Sequence, residues 1–110
     1  MATTYKNAQV AGSGNITTYS TLYNTGASST AVISSLVVTN TGTEPETYRV
    51  GIVGSDTDPS SPNWVVYDAV VTGNDTVALT LGITLGTTQY LKVSASSTDV
   101  NIHAFISEIV

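Results

Sequence analysis

Apolar and polar residues alternate along most of this chain, and a period of two is the pattern of β-strands that bury one face. The alternation predicts about eight strands, and the β-branched residues within them favour the extended state. The predicted strands are residues 5–11, 16–23, 30–40, 47–53, 63–71, 76–81, 88–95 and 100–110. No segment predicts a helix, because Thr, Val and Gly dominate all of them.

Residues 30–40 form the strongest predicted strand, since apolar side chains fall on both of its faces. Such a strand is expected near the centre of a sheet, with both sides at least partly covered. One face is predicted to carry Val32, Leu36 and Val38, and the other Ile33 and Val37.

Residues 79–88 hold the densest apolar alternation, which Gly82 and Gly86 interrupt. Glycines inside such a run mark a bend, or a place where a strand leaves its sheet, so we expect a tight corner here. The elements together predict a single domain, residues 1–110, with an all-β fold: a two-sheet antiparallel β-sandwich that is jelly-roll-like. The pattern leaves the order of the strands open.

Charge narrows the possible functions. Charged residues make up 10% of the chain, against about 25% in a typical soluble domain. The formal net charge is -5, and the basic residues Lys6, Arg49 and Lys92 are scattered singly, which argues against a nucleic-acid partner. The chain has no cysteine, so disulfides, thiolate chemistry and cysteine zinc sites are excluded.

The sequence shows no sign of a targeting segment or a membrane span. Residues 1–6 lack the basic and apolar regions of a signal peptide. No apolar run approaches the length needed to cross a bilayer. We therefore expect a protein that is made and assembled in the cytoplasm and has no membrane partner.

The longest polar loop, residues 54–62, contains the only close pair of carboxylates, Asp56 and Asp58. Asp68 could approach them, and calcium prefers oxygen ligands of this kind, but a closed site needs further ligands at set spacings. We therefore interpret the pair as part of a solvated turn, and expect no metal and no cofactor. The loop is the expected contact with a partner, through Asp56, Asp58, Pro59, Pro62 and Trp64.

His103 is the sole histidine, and it lies in the middle of the last predicted strand. A general base needs a nucleophile and an orienting acid nearby, and none of the serines stands in a nucleophile elbow. We therefore predict that the protein is not an enzyme, and we interpret His103 as a polar or interface residue.

Aromatic residues offer an alternative chemistry, since aromatic faces stack on sugars. Trp64 and the six tyrosines are, however, dispersed over different predicted strands. Trp64 follows Pro62 at the start of a strand, and we interpret it as a core or interface plug. Carbohydrate binding stays open as the alternative.

The shortage of charge is poorly explained if the protein is an isolated monomer. Strands with hydroxyl-rich or apolar faces expose edges and patches that a free protein guards with Lys and Glu. An assembly would cover those surfaces. We therefore expect a structural subunit that forms a homo-oligomer, with a trimer as the expected form.

Six short segments carry a resemblance that spans almost the whole chain. They are MATTYK (1–6), ISSLVVTN (33–40), YRV (48–50), YDA (67–69), NDTVALTLGITL (74–85) and FISEI (105–109). Together they resemble a family of small tailed-phage virion proteins, common among phages of cyanobacteria and other aquatic bacteria. The resemblance implies a β-sandwich structural protein of the virion, placed either as head decoration or at the tail or baseplate. Because a small, charge-poor domain suits a many-copy surface protein, we expect capsid decoration, with the major capsid protein or another virion protein as the partner. The alternative is a tail, fibre or baseplate adhesion module that binds host-surface carbohydrate.

Overall fold

The structure is a computed structural model, and it describes residues 2–110. Those residues form nine β-strands and no helix, and they therefore contain no helix that is long and apolar enough to cross a membrane. The strands are β1 (Thr3–Ala11), β2 (Ser20–Asn24), β3 (Thr30–Asn40), β4 (Glu46–Val53), β5 (Trp64–Val71), β6 (Asp75–Leu79), β7 (Ile83–Leu85), β8 (Tyr90–Ala95) and β9 (Val100–Ile109). All pairings are antiparallel, which confirms the predicted all-β class.

The strands lie in two sheets. The five-stranded sheet has the order β1-β9-β3-β6, with β7 also paired to β3, and the four-stranded sheet has the order β2-β8-β4-β5. If β6 and β7 are taken as one interrupted strand, this is the order of a jelly roll. The chain folds back at the β4–β5 loop, and the pairs β4 with β5, β3 with β6, β2 with β8 and β1 with β9 wrap around the core.

The core fills the space between the two sheets, where every second side chain of each strand points inward. Its largest fully buried apolar side chains come from β3, β4, β5, β7, β8 and β9: Ile33, Leu36, Val38, Val50, Val71, Leu85, Leu91, Val93, Val100 and Ile102. Burying one such side chain stabilises a fold by about 1.5–3 kcal/mol. The inward-pointing apolar residues of the predicted strands thus form one continuous apolar layer between the sheets.

The prediction that Val32 shares a face with Leu36 is wrong. The ladder between β3 and β9 shifts register between Ile33 and Ser35, and this β-bulge reverses the alternation along β3. Before the bulge Ile33 points into the core, whereas Val32 is 37% exposed on the outer face. After the bulge Leu36 and the even-numbered residues point inward. The strand is central, as predicted, but the second sheet covers only one of its faces.

The expected corner in residues 79–88 consists of two separate breaks. The first is residues 80–82, where Gly82 has a φ of 62° and the strand resumes along the same edge of β3. The second follows β7, where Gly86 and Thr88, whose φ is 55°, lead the chain across to the four-stranded sheet. Only the second break is a change of sheet.

The predicted strand over residues 16–23 is shorter in the structure, because β2 begins at Ser20. Residues 12–19 form a loop that lies against the four-stranded sheet. The hydroxyl Oγ of Ser94 donates to the carbonyl of Ile16 at 2.7 Å, so this loop is tied to β8. The alternation favoured an extended strand from residue 16, but in the structure this segment is a loop that a non-local hydrogen bond holds against β8.

Candidate functional site

The outer face of the four-stranded sheet lies under residues of two loops, 12–19 and 54–63. Pro59 is buried, and a Cβ atom added at Gly51 of β4 would come within 2.8 Å of the Pro59 Cβ. The second loop therefore packs through Pro59 directly against Gly51, where a larger residue would not fit. We call this surface the covered face.

Arg49 is the centre of the covered face. Its guanidinium donates from Nε to Asp68 Oδ1 at 2.6 Å, from Nη2 to Asp68 Oδ2 at 3.2 Å, and from Nη1 to the Tyr19 hydroxyl at 2.9 Å. The Arg49 side chain is only 11% exposed. Hydrogen bonding from Arg49 holds the pKa of Asp68 below its usual range, and the same bonds raise the pKa of Arg49. Tyr48, the preceding residue, is buried in the core, so Arg49 points to the opposite face, as the alternation within residues 47–53 predicts.

Three aromatic rings gather around this guanidinium. The Arg49 Cζ lies 4.2 Å from the ring centroid of Tyr67 and 5.5 Å from that of Trp64. Trp64 meets Tyr67 edge-on at 4.9 Å between centroids, and Tyr19 in a tilted contact at 5.7 Å. The interpretation of Trp64 and these tyrosines as dispersed aromatic residues is therefore corrected by the structure.

The convergence of Trp64 and Tyr67 depends on irregularities in β5. Residues three apart on a regular strand point to opposite faces. Here the β4–β5 ladder shifts register twice, and Tyr67 and Asp68 together oppose the single residue Arg49. Asp68 has a φ of 54°, in the left-handed region that Asp tolerates better than most residues. The sequence offers one signal of this cluster, the outward position of Arg49.

A second ion pair fastens the β4–β5 loop to the covered face. The ammonium of Lys92 on β8 is hydrogen-bonded to Asp56 and donates to the Thr21 hydroxyl at 2.7 Å. The Lys92 side chain is 7% exposed and that of Asp56 is 68% exposed. The aliphatic part of the Lys92 side chain is thus buried, whereas the Asp56 carboxylate with which it pairs stays in contact with solvent.

The candidate ligands Asp56, Asp58 and Asp68 do not come together. Asp56 and Asp68 pair with different cations, and Asp58 is exposed on the loop. Within residues 2–110, no group of three or more His, Asp or Glu side chains could hold a metal ion. Of the other predicted contact residues, Pro59 is buried against Gly51, Pro62 is exposed after a cis peptide bond, and Trp64 is half-buried.

The outer face of the five-stranded sheet has a different character, and we call it the bare face. Its side chains alternate with those of the core, and in the described part of the chain none of them is Asp, Glu, Lys or Arg. Phe105 and Val32 there are 43% and 37% exposed. The bare face consists of Tyr5, Asn7, Gln9, Ala11, Asn101, His103, Phe105, Ser107, Val32, Val37, Thr39, Thr76, Ala78 and Thr84.

His103 lies on the bare face, opposite Gln9 on one side and Val37 on the other. It borders a shallow depression that Gln9, Val10, Ala11 and Asn101 also line. Residues 2–110 supply no hydrogen bond or ion pair to its imidazole. His103 therefore lies on the outer surface of the five-stranded sheet, where the described residues contribute no hydrogen bond to its imidazole.

One cluster around Glu108 links the two sheets at the end of the sandwich. The hydroxyl of Tyr23 on β2 donates to Glu108 on β9, and Lys6 Nζ lies 2.9 Å from Glu108 Oε1. These two hydrogen bonds hold the pKa of Glu108 below its usual range. Burial, reinforced by the bond to Glu108, raises the pKa of Tyr23. Glu108 therefore acts as an ionised bridge between the sheets.

Neither a protein-family model nor a curated protein matches this sequence. The fold and the two faces define the protein as an antiparallel β-sandwich with one covered and one bare outer face. The resemblance to small tailed-phage virion proteins stays a prediction.

Proposed function

We propose that this chain is a non-enzymatic structural protein of a tailed-phage particle, and that it decorates the capsid as an oligomer bound to the head lattice. The bare face is the observation that carries this proposal. The resemblance to virion proteins supports the setting. The trimeric state, the major capsid protein as partner and the location in the virion are parts of the same proposal.

The bare face suits a protein partner because no charged side chain has to be desolvated when it is covered. Charged groups lose the most hydration on burial, and the described part of this face carries none. The core of a protein interface is likewise depleted of charge and enriched in aromatic residues, here Phe105 and Tyr5. Tyr5, Val32 and Phe105 expose apolar surface on this face, which a partner would cover.

The size of the bare face also suits an interface. Four neighbouring strands about 4.8 Å apart and about nine residues long span roughly 20 Å by 30 Å, or about 600 Å². A standard protein interface covers about 800 Å² on each partner. The bare face therefore supplies about three quarters of the area that a standard interface takes on one partner.

The second candidate function is a tail, fibre or baseplate module that binds host-surface carbohydrate. Tyr67 favours it, because this ring is 57% exposed beside Trp64. Against it, the rings meet at angles of 41° and 64°, so they form no flat platform. Arg49 already stacks against Tyr67 and donates its hydrogen bonds to Tyr19 and Asp68.

The copy number of the chain in purified particles separates the two functions. We expect hundreds of copies for a head protein, whereas tens or fewer would favour the tail module. A second test adds the Phe105→Lys variant to particles from which the native protein has been removed. The variant should fail to bind them, because binding would bury the lysine ammonium in the interface. Tyr67→Ala on the covered face is the matched control and should bind normally. Normal occupancy by Phe105→Lys would overturn the role of the bare face, and sugar binding lost in Tyr67→Ala would favour the alternative.

A further inference from the structure

The two open sheets leave four strand edges, formed by β1, by β6 with β7, by β2 and by β5. An unpaired edge presents a row of backbone N–H and C=O groups that can pair with another chain. Proteins protect such edges with short strands, bulges, inserted charges or proline. The four edges of this sandwich differ in how well they are protected.

Three of the four edges are irregular. The β2 edge has five residues and a register shift between Thr21 and Tyr23. The β5 edge contains two register shifts and the left-handed residue Asp68. The third edge is broken into strands of five and three residues, with Gly82 between them. None of these edges offers a long, straight row of backbone groups.

The β1 edge is long and regular. Nine consecutive residues pair with β9 without a register shift, and the strand contains no proline. Its only charged side chain, Lys6, lies on the inward side and pairs with Glu108 at 2.9 Å. Short length, register shifts and proline are all absent from this edge, and the one inserted charge, Lys6, is neutralised by Glu108.

The free backbone groups of β1 belong to its odd-numbered residues. Ala2 and Val110 exchange both of their backbone hydrogen bonds, at 3.2 and 2.9 Å. Because hydrogen-bonded pairs alternate along an antiparallel ladder, the even-numbered residues bond to β9 and the odd-numbered ones direct N–H and C=O outward. Tyr5, Asn7 and Gln9 stand at the middle of this row.

We propose that β1 pairs antiparallel with β1 of a second copy of this chain, about a two-fold axis at Asn7. In this register each Tyr5 opposes Gln9 of the second copy, and each Thr3 opposes Ala11 of the second copy. All the outward groups are then used, in about ten backbone hydrogen bonds. Lys6 faces Ala8 of the second copy, so no like charges oppose each other.

A second copy fits this edge because the edge is complementary to itself. Apart from Lys6, which would oppose Ala8 of the second copy, the side chains that would meet are uncharged, and an isologous contact needs only one surface. The pairing would join two five-stranded sheets and place two bare faces side by side, a surface of about 1,200 Å². The pairing stands on the edge alone, and only the use of the joined face rests on the proposed function.

The dimer should depend strongly on concentration. Two paired strands of this length cover about 300 Å² on each copy, well below the roughly 800 Å² of a standard interface. We therefore expect a dissociation constant of about 100 μM in solution, with stronger pairing where copies are concentrated on a lattice.

Sedimentation equilibrium of the full, untagged chain up to about 1 mM tests the pairing. Asn7→Pro removes an outward N–H and should weaken the dimer at least about tenfold, yet keep the fold, because proline is tolerated at a solvent-facing strand edge. Asn7→Ala keeps the N–H and should dimerise like the parent chain. Asn7→Lys puts two ammonium groups at the axis and should also give a monomer, so the test survives if Asn7→Pro does not fold.

Concentration-dependent slowing of amide exchange at Tyr5, Asn7 and Gln9 would support the β1 contact directly. A stable monomer at the highest concentration, a trimer whose copies do not pair further, or a dimer unaffected by Asn7→Pro and Asn7→Lys would overturn it. The two proposals fail separately, since Phe105→Lys should still dimerise in solution while failing to bind particles. A monomeric Asn7→Pro that still occupies particles would contradict the joined face and leave the decoration role standing.

Discussion

The covered face and the bare face are built on the same kind of antiparallel sheet, but they differ in charge and in what lies over them. The covered face carries the ion pairs Arg49–Asp68 and Lys92–Asp56 beneath or beside two loops. The bare face carries no Asp, Glu, Lys or Arg within residues 2–110. Two of the three basic residues of this chain thus lie on the covered face, where they bond to residues of the two loops, and the uncharged surface is left for contact.

The covered face also shows how a charge-poor chain buries charged groups safely. No buried side-chain nitrogen or oxygen in residues 2–110 lacks a hydrogen-bond partner. Arg49 and Lys92 bury most of their side chains, and each reaches a carboxylate and a hydroxyl. Because unpaired buried charges are very costly, these contacts explain why the two cations lie on this face. The covered face is therefore expected to contribute to stability, and the bare face to binding.

The largest effect on the free energy of unfolding is expected at Gly51, against which Pro59 packs. Gly51→Val would push a side chain into Pro59, and overpacking of this kind should lower the free energy of unfolding by about 2 kcal/mol or more. Ala78→Val on the bare face adds the same side chain in open surroundings and should change it by less than about 0.5 kcal/mol. Urea denaturation of both variants measures the difference. Equal losses would remove the distinction between the two faces.

A smaller effect is expected at the centre of the aromatic cluster. Arg49→Ala removes the contacts with Asp68, Tyr19 and Tyr67, and should cost about 1–2 kcal/mol of unfolding free energy. Asp68→Asn keeps the stacking and a residue type that accepts the left-handed backbone, so its loss should be smaller. Thermal denaturation at low and high salt checks the order of the two variants. An equal loss in the two variants would mean that the ion pair carries the whole effect and the stacking adds nothing.

The subtlest effect is the pH dependence from Glu108. Because its pKa is lowered in the folded protein, the ionised group stabilises the fold above its unfolded pKa of about 4.3, and this stabilisation disappears as the pH falls through the folded value. Glu108→Gln should therefore lose less stability than the parent chain between about pH 5 and pH 3. Denaturation curves across this range test the difference. Parallel pH profiles would show that the bridge to Tyr23 and Lys6 contributes nothing.

Much of the secondary structure could be predicted from local pattern. The bounds of β3 agree with the predicted residues 30–40, and other strands differ mostly at their ends. The outward position of Arg49 followed from simple alternation beside Tyr48. These features depend on the two-residue period and on β-branched side chains, which act within a few residues of chain.

The cluster of aromatic residues around Arg49 could not be predicted from local alternation. Trp64 and Tyr67 meet because β5 bulges opposite Arg49, and residues 12–19 leave the extended state to bring Tyr19 to the same place. The Asp56 loop was expected to be free for contact, yet Pro59 and Lys92 fasten it to its own sheet. Each of these contacts joins residues far apart in sequence, so no local pattern contains it.

The sequence by itself determined an all-β chain that is poor in charge, with a strong central strand and turns between the strands. Only the tertiary structure decided the jelly-roll order, the reversal of alternation after Ile33, and the one edge that is left regular. The physical reason is that alternation tells which side chains are buried, whereas register and bulges depend on the neighbouring strand. A shift of one residue changes which face each side chain occupies, and only pairing across the sheet fixes it.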